Sequence, residues 1–229
     1  MNRIFVDDCF NVMSEMEDKS VDFVLSDIPY NEVNGKIEGG FQRVNRGDAD
    51  RADDGTEFDA RKYIQECIRI CKGNIMIFCG YKQAGILREE MQKAKCQMIR
   101  LIVWEKTNVS PMNGQWFFLN SNEWAVACRQ KGAYFNGKCV HATFSHSTRP
   151  LKWHPTAKPV ALMRKFIEMC CPPDGIVFDG CAGSLSTAVA AHESGRKYIC
   201  AENNAEYIEQ ARIHWGERLG DYYVRTNND

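Results

Sequence analysis

The sequence predicts an α/β fold: a mixed, mostly parallel sheet with helices on both faces. Short apolar runs typical of buried strands alternate with longer segments whose apolar residues recur three and four positions apart, as on one face of a helix. Parallel strands need helical crossovers between them, so this alternation favours a layered α/β architecture. With 229 residues, 44% of them hydrophobic, the chain can form one domain, residues 1–229, around its own core.

The elements follow one another along the whole chain. The run VDFVLSD, for example, is apolar on both faces and ends in an acid, whereas RKYIQECIRIC has the helical period. The predicted strands are residues 3–6, 21–27, 74–80, 98–106, 122–130, 176–180 and 197–202. The predicted helices are residues 61–71, 84–94, 159–170, 186–195 and 205–215.

Composition excludes several classes of protein. No apolar run approaches the ~20 residues that a membrane span needs, and the N-terminus lacks the pattern of a signal peptide, so we expect a soluble cytoplasmic protein without membrane contacts. The odd number of cysteines, 11, and their position in apolar runs indicate reduced core thiols. Cys139, His141 and His146 match no standard zinc spacing, so no metal is expected.

A small-residue turn follows the predicted strand 176–180. Asp179 closes the strand, Gly180 and Gly183 permit a tight turn, and a helix begins close behind, which suits a ligand approached by backbone N–H groups. The next strand ends in Glu202, at about the 20-residue separation where nucleotide folds place an acid on ribose hydroxyls. Together they indicate an adenosine-containing cofactor. A structural loop with a surface glutamate is the alternative.

The segment SDIPYN ends the strand 21–27. Asp27 offers a carboxylate, Ile28 is held extended by Pro29 and offers its carbonyl, and Tyr30 adds a flat ring. Two acceptors beside a stacking surface suit the exocyclic amino group of a base. A strand that ends in a proline turn is the plain alternative.

These motifs, in this order, resemble those of DNA amino-methyltransferases of the beta arrangement, in which the catalytic motif precedes the cofactor motif. Asp27-Ile28-Pro29-Tyr30 matches the family's Asp-Pro-Pro-Tyr. LIVWEK with NEWAVACRQ is similar to its middle strands, and the block from HPTAKP to AEYIEQA is similar to its C-terminal part. The resemblance covers almost the whole chain and implies a Rossmann-like methyltransferase fold with circularly permuted strand order.

The resemblance also implies site residues. S-adenosylmethionine is the implied cofactor, with Glu202 on its ribose, Asp8 near its adenine, and the HPTAKP segment closing its methionine end. The implied catalytic residues are Asp27, Ile28, Pro29 and Tyr30. The implied cofactor-binding residues are Asp8, His154, Lys158, Asp179, Gly180, Gly183, Ser184 and Glu202.

The sequence departs from the family in two places. Ile28 replaces the first proline of the catalytic motif, a change that keeps the backbone carbonyl which the family uses. Gly180-Cys181-Ala182 with Leu185 replaces the usual Pro-Phe-x and second glycine, which removes an aromatic ring and some backbone freedom. The second change predicts weaker cofactor binding.

Basic residues are segregated although the formal net charge is −1. No acid stands between Glu123 and Glu168, and aromatic residues are interleaved with the basic ones, a pattern typical of a phosphate-binding face. Residues 132–153 are therefore predicted to be a small target-recognition element for double-stranded DNA. The predicted DNA-binding residues are Arg129, Lys131, Lys138, Arg149 and Lys152. An ordinary basic surface with core aromatics is the alternative.

The expected reaction is site-specific methylation of adenine at N6, because the family tends to use Asp for adenine and Ser for cytosine at the first motif position. N4-cytosine methylation, a catalytically silent DNA binder of the same fold, and a nicotinamide-dependent oxidoreductase are the alternatives. Residues 31–59 are predicted to be a mobile active-site loop. Compact size favours a stand-alone phage or mobile-element enzyme of a bacterial or phage-infected cell. A restriction-modification partner and homodimerisation stay open.

Overall fold

The computed structural model describes residues 2–30, 58–109, 111, 116, 118–148 and 150–226. Over these residues the chain alternates between strands and helices, as predicted. The strands are β1 (Asn2–Val6), β2 (Val21–Asp27), β3 (Cys71–Cys79), β4 (Gln97–Lys106), β5 (Asn122–Arg129), β6 (Thr143–His146), β7 (Ile176–Asp179), β8 (Lys197–Glu202) and β9 (Tyr222–Thr226). The helices are α1 (Cys9–Ser14), α2 (Ala60–Ile70), α3 (Tyr81–Lys93), α4 (Val160–Cys170), α5 (Ser186–Glu193) and α6 (Ala205–Trp215).

The nine described strands form one sheet in the order β6-β4-β5-β3-β2-β7-β8-β1-β9. The paired strands within it are parallel, with the exception of β5, which runs antiparallel to both β3 and β4. Strand β1, from the N-terminus, lies beside β8, from the C-terminal part of the chain. The predicted mixed, mostly parallel sheet is confirmed. The prediction of one domain over residues 1–229 stays a prediction.

Helices cover both faces of the sheet because the central strands are apolar on both sides. In β2, Phe23 and Leu25 belong to the core that α4, α5 and α6 close, whereas Val24 points into the core beneath α1, α2 and α3. This alternation follows from the two-residue period of a strand. The sheet therefore leaves its strand ends, and not its faces, open to ligands.

Three short elements were absent from the sequence prediction. Helix α1 has six residues and strand β6 has four, too few for a periodic pattern to be recognised. Strand β9 follows a 3₁₀ turn at Gly216–Leu219 and pairs only with β1 at the sheet edge. Strand β6 also lies inside the predicted recognition element 132–153, so part of that segment belongs to the sheet.

The described residues have no helix that is long and apolar enough to cross a membrane. Within the same ranges no cluster of three or more His, Cys, Asp or Glu side chains is placed to hold a metal ion. All eleven cysteines are free thiols, and most of them are buried.

Asn74 ties three parts of the fold together near the start of β3. Its buried side-chain amide donates to the carbonyl oxygens of Tyr134, at 2.6 Å, and Cys170, at 2.7 Å. One side chain thus fixes the segment after β5 and the end of α4 against the central sheet. Both carbonyls would lose their donor if this amide were removed.

Asn74→Ala should therefore lower the free energy of unfolding by about 2–4 kcal/mol, because two carbonyl acceptors lose a buried donor. Urea denaturation measures the change. Gln92→Ala, on the exposed face of α3, is the matched control and should change stability by less than about 0.5 kcal/mol. Equal effects of the two substitutions would contradict the role of Asn74.

Candidate active site

Four neighbouring strands end at one edge of the sheet. β2, β7, β8 and β1 are adjacent and parallel, so Asp27, Asp179 and Glu202 come to the same edge, and Asp8 follows β1 there. Ligands of open α/β sheets bind outside the carboxyl ends of the strands. The structure thus brings the two predicted motifs side by side at this edge.

The predicted catalytic motif is anchored to β3 and α3 by hydrogen bonds. The Ile28 N–H donates to the Phe78 carbonyl at 3.2 Å, and Gln83 Nε2 donates to the Pro29 carbonyl at 2.8 Å. Tyr30 Oη donates to Asp27 Oδ1 at 2.9 Å. Burial raises the pKa of Tyr30 well above its ordinary value, and the nearby Asp27 carboxylate raises it further. Tyr30 therefore stays a neutral hydrogen-bond donor to Asp27.

A buried hydroxyl joins the two motifs. Ser26 Oγ lies 2.6 Å from Tyr63 Oη and accepts from the Gly180 N–H at 3.1 Å. The Gly180 N–H is also 3.2 Å from Tyr63 Oη. A Cβ atom on residue 180 would lie 2.6 Å from that phenol oxygen, so the turn requires glycine here.

Asp179 is a buried carboxyl group at the end of β7. Its Oδ1 accepts from the Cys181 N–H at 3.1 Å. Burial raises the pKa of Asp179 to about 6, against the opposing effect of hydrogen bonds from Thr187, Cys181 and Ser26. The negative charge of Asp179 therefore costs folding free energy at neutral pH.

The predicted cofactor loop is held by Glu202. Its Oε2 accepts from the Gly183 N–H at 2.8 Å, and its Oε1 accepts from the Asn204 N–H at 2.9 Å. Gly183 has a φ of +45°, and a Cβ atom there would lie 2.7 Å from His154 Nε2. Glycine is needed at this position for its backbone conformation and for the close approach of the imidazole.

Asp8 and Ser184, the other predicted members of the cofactor site, also lie at this edge. Asp8 caps the first turn of α1, accepting from the Phe10 N–H at 2.8 Å, and its side chain is exposed. Ser184 is buried; its Oγ is 2.8 Å from Ser186 Oγ, and its carbonyl accepts from Trp215 Nε1 at 2.7 Å. Ser184 therefore joins the loop to α5 and α6, while Asp8 faces solvent.

The segment HPTAKP divides between two places. His154 packs against Gly183 and against the ring of Tyr207, with centroids 4.6 Å apart, and so lies on the side of the predicted cofactor loop. The ammonium group of Lys158 instead forms an ion pair with Asp27 Oδ2. Lys158 therefore contacts the predicted catalytic motif, although the resemblance implied a place at the methionine end of the cofactor.

Sequence reasoning missed Glu123 and Lys106. Glu123 Oε2 is 3.0 Å from Lys158 Nζ, and Glu123 Oε1 is 2.7 Å from Lys106 Nζ. Both residues reach the site because antiparallel β5 begins where β4 ends, at the carboxyl edge of the parallel strands. Knowing that β5 runs antiparallel would have placed both residues at the site. The apolar period of a strand does not show its direction, so the sequence contains no such signal.

Burial opposes ionisation throughout this group. Burial raises the pKa of Asp27, Lys158 lowers it, and Glu123 raises it, with a net rise. For Glu123, burial again favours the neutral acid, but Lys158 and Lys106 outweigh it and hold the pKa below its ordinary value. Burial disfavours the ammonium of Lys158, yet Asp27 and Glu123 keep its pKa raised. Lys158 is thus a buried cation held between two carboxylates.

The predicted basic residues that the structure describes are divided between the two edges of the sheet. Arg129 ends β5 opposite Asn74, at the amino edge of the sheet, and its guanidinium donates to the Ala133 carbonyl. Lys131 and Lys138 are exposed and belong to the segment that returns from that edge. Lys152 is exposed two residues before His154, near the carboxyl edge. Arg149 lies outside the described residues, and the DNA contacts of all five stay a prediction.

The predicted recognition element 132–153 and the predicted active-site loop 31–59 are described in part. Of the aromatic residues in 132–153, Phe144 packs on Phe166 with centroids 4.9 Å apart, and Trp153 packs against the same core. Phe135 is exposed. The predicted active-site loop 31–59 lies outside the described residues except for positions 58 and 59; Asp59 caps α2 through its carboxylate.

An acid–aromatic motif and a glycine loop at adjacent strand ends, with β1 beside β8, define a permuted Rossmann-like methyltransferase fold. The family described as DNA methylase, of the N6/N4 methyltransferase type, matches residues 21–212. The chain belongs to this family. The Type II methyltransferase M.HinfI of Haemophilus influenzae is 27% identical over 92% of this chain and 67% of its own length. M2.MboI of Moraxella bovis is 24% identical over 94% of this chain and 88% of its own length.

Solved structures share the fold. The M1.HpyAVI–SAM complex has a TM-score of 0.72 at 23% identity and covers 96% of this chain and 100% of its own. TTHA0409 of Thermus thermophilus, a putative DNA modification methylase complexed with S-adenosyl-L-methionine, has a TM-score of 0.66 at 16% identity over 99% of both chains. The cytosine-N4-specific PvuII DNA methyltransferase has a TM-score of 0.66 at 14% identity, covering 98% and 95%.

Gly183→Ala should destabilise the protein more than Gly195→Ala does. Both positions have positive φ, +45° and +70°, but only a Cβ atom at residue 183 meets another group. Backbone strain common to both costs roughly 1–2 kcal/mol, and the contact with His154 adds to it at residue 183 alone. Urea denaturation compares the two variants. Adding His154→Ala to Gly183→Ala should recover part of the difference, and no recovery would contradict the assigned contact.

Asp179→Asn should remove a pH dependence of stability. In the folded protein the pKa of Asp179 is about 6, above its ordinary value of 3.8, so the folded state binds more protons between these pH values and stability falls as pH rises through them. The cost at pH 7 is about 3 kcal/mol. Denaturation at pH 4 and pH 7 should therefore show Asp179→Asn gaining on the wild type as pH rises. Asp221→Asn, at an exposed position, should follow the wild type at both pH values. Parallel curves for Asp179→Asn would disprove the charge cost.

Proposed function

We propose that this protein is an S-adenosylmethionine-dependent DNA methyltransferase that methylates the exocyclic amino nitrogen N6 of adenine in a flipped-out base. One observation carries the proposal. The Asp27 carboxylate and the Tyr30 ring stand at the end of β2, directly beside the glycine loop at the end of β7. The residues proposed to bind the amino group of the base and those proposed to bind the cofactor thus lie next to each other at one edge of the sheet.

The residues of the loop fit the cofactor. Glu202 presents a carboxylate for ribose hydroxyls, and Asp8, exposed at the start of α1, offers an acceptor for the amino group of adenine. At residues 180 and 183 the absence of a side chain lets backbone N–H groups line a close-fitting turn. His154, packed over Gly183, stands at the far side of this turn. We assign these residues and Ser184 to cofactor binding, with S-adenosylmethionine supplying an electrophilic methyl group on sulfur.

The residues of the catalytic motif act on the amino group of the base. The amino nitrogen is a weak nucleophile because its lone pair is delocalised into the ring. Asp27 and the Ile28 carbonyl accept its two hydrogens, which favours a pyramidal nitrogen with an available lone pair. The nitrogen would attack the methyl group that bound S-adenosylmethionine supplies, sulfur would keep the electron pair of the broken carbon–sulfur bond, and the nitrogen would then release one proton to water. Tyr30 provides the surface on which the flipped base stacks.

The choice of adenine rests on Asp27. The acceptor at the first motif position is a carboxylate, and the hydroxyl of Ser26 is buried and engaged by Tyr63 and Gly180. Ser26 therefore cannot act as the acceptor of a cytosine-type motif. N4-cytosine methylation stays the second candidate, because a cytosine amino group offers the same two hydrogens to the same acceptors.

Duplex DNA is the proposed substrate, with residues 132–153 as its target-recognition element and Lys152 as the basic residue nearest the carboxyl edge. Arg129, Lys131, Lys138 and Arg149 complete the proposed set of phosphate contacts. Residues 31–59 are proposed as the loop that closes over the base. The proposed setting is the cytoplasm of a bacterial or phage-infected cell.

Asp27→Ala should abolish methylation while leaving the fold intact. Loss of the carboxylate removes an acceptor for the amino hydrogens, so activity should fall by on the order of a thousand-fold. The measurement is modified-base sequencing of genomic DNA from a methylase-free bacterial host that expresses the chain. Asp18→Ala, at an exposed aspartate, is the matched control and should methylate like the wild type.

Each outcome of this experiment is decisive. N6-methyladenine in one short motif, absent with Asp27→Ala, supports the proposal, whereas N4-methylcytosine supports the second candidate. Methylation that persists in Asp27→Ala would disprove the assigned mechanism. An unmodified genome despite soluble expression, together with no rise in melting temperature on adding S-adenosylmethionine, would favour a silent DNA-binding protein.

A further inference from the structure

Four charged groups and a phenol form one network around Asp27. Lys158 lies at its centre, with its ammonium on Asp27 Oδ2 and 3.0 Å from Glu123 Oε2. Lys106 Nζ contacts the other oxygen of Glu123 at 2.7 Å. Tyr30 Oη is 2.9 Å from Asp27 Oδ1 and 3.5 Å from Glu123 Oε2. These groups come from distant parts of the chain, so the fold and not local sequence assembles them.

The network is closed to solvent at Lys158 and more open toward Asp27. The side chain of Lys158 is 8% exposed, that of Glu123 is 20% exposed, and that of Asp27 is 28% exposed. A charge taken out of water needs partners, and an ammonium group carries three donors. Lys158 can therefore stay charged here because two carboxylates share it, while Asp27 keeps a face toward the strand edge.

Sharing the ammonium matters for the chemistry. If Lys158 bonded to Asp27 alone, the pair would be neutral and the carboxylate a poorer acceptor for N–H groups. With Glu123 as the second partner, the hydrogen bonding of the Lys158 ammonium is divided between two carboxylates, and Lys106 balances the charge of Glu123. The amino nitrogen of a base gains positive charge as it accepts a methyl group, and the negative charge that Asp27 keeps beside it stabilises that change.

We propose that Glu123 and Lys158 are positioning residues for the acceptor carboxylate. Lys158 holds Asp27 ionised and oriented, and Glu123 takes part of the ammonium's hydrogen bonding so that Asp27 remains a strong acceptor for the amino group of the target base. This inference rests on the proposed function, because it concerns the same amino group. Lys158 is thereby assigned to the part of the site that binds the target base, whereas the resemblance implied a role in cofactor binding.

The charged and titratable groups that face Asp27 come from every neighbouring element. Lys158 precedes α4, and Glu123 is the second residue of β5 and pairs with Lys106 of β4. Tyr30 follows β2, and Asp179 ends β7. Cys79, at the end of β3, adds a smaller contribution to the raised pKa of Tyr30. Burial raises the pKa of Asp27, Lys158 opposes that rise, and Glu123 adds to it. Removing Glu123 should therefore lower the pKa of Asp27, and removing Lys158 should raise it.

The test is the pH profile of kcat/KM for methyl transfer to DNA. Asp27 must be ionised to accept N–H groups, so activity rises with pH through its pKa. In Glu123→Gln this acidic limb should move to lower pH, by about one unit, with kcat at least ~10-fold lower at the plateau. In Lys158→Met the limb should move to higher pH by about one unit or more. Lys158→Arg keeps the cation and should return the limb to its wild-type position.

Matched controls separate a local effect from a general one. Glu209→Gln on α6 and Lys93→Met on α3 make the same chemical changes at exposed positions and should leave the limb in place. The rise in melting temperature with S-adenosylmethionine should persist in Glu123→Gln, because the cofactor loop is unchanged.

The possible results separate this inference from the proposed function. Suppose that the wild type methylates DNA. The positioning roles alone would then be overturned if the acidic limb stays in place in both Glu123→Gln and Lys158→Met, or if it moves in the same direction in both. If Lys158→Met does not fold, an unmoved limb in Glu123→Gln is sufficient to overturn them. A wild-type protein that binds S-adenosylmethionine but transfers no methyl group to DNA would overturn the proposed function and this inference together.

Discussion

The hydrogen bonds of the Ser26 hydroxyl fix the relation between the two halves of the site. Ser26 is a buried residue of β2, and its hydroxyl contacts the Tyr63 phenol and the Gly180 N–H beyond the end of β7. Asp27 follows it directly, and Asp179 directly precedes Gly180. Because side chains of a strand alternate between faces, a shift of one residue in β2 would turn Asp27 away and place Ser26 elsewhere. These few buried polar contacts therefore determine which groups meet at the strand edge.

A second constraint acts through one segment before α4. His154 packs over Gly183, and Lys158, four residues later, pairs with Asp27. Backbone hydrogen bonds between Leu151 and His154, at 3.3 and 3.1 Å, form the turn that starts this segment. One short piece of chain thus contacts both motifs at once. Any movement of the segment would alter the two together, which couples the cofactor side to the acceptor side.

The sequence predicted the strand ends well and the strand directions poorly. Asp27, Asp179 and Glu202 were found because each acid closes an apolar run, and parallel strands end at a common edge. Glu123 was missed because the apolar period of residues 122–130 is the same in either direction; only tertiary pairing makes β5 antiparallel. The same reversal carries Arg129 to the amino edge, which is why basic residues close in sequence are apart in space.

The altered cofactor loop can be understood from its packing. Leu185 has a φ of 57°, in a region that favours glycine, at a cost of roughly 1–2 kcal/mol. Its side chain is fully buried in the core beneath α4, α5 and α6, a gain of about 1.5–3 kcal/mol that offsets this strain. The Leu185 N–H also donates to the Ala182 carbonyl at 2.8 Å, and Trp215 holds Ser184. The lost glycine is thus replaced by a side chain that fixes the turn before any ligand arrives. The loss of backbone freedom at Leu185 is therefore no reason to expect weaker cofactor binding. The remaining reason is the missing aromatic side chain at the position of Cys181.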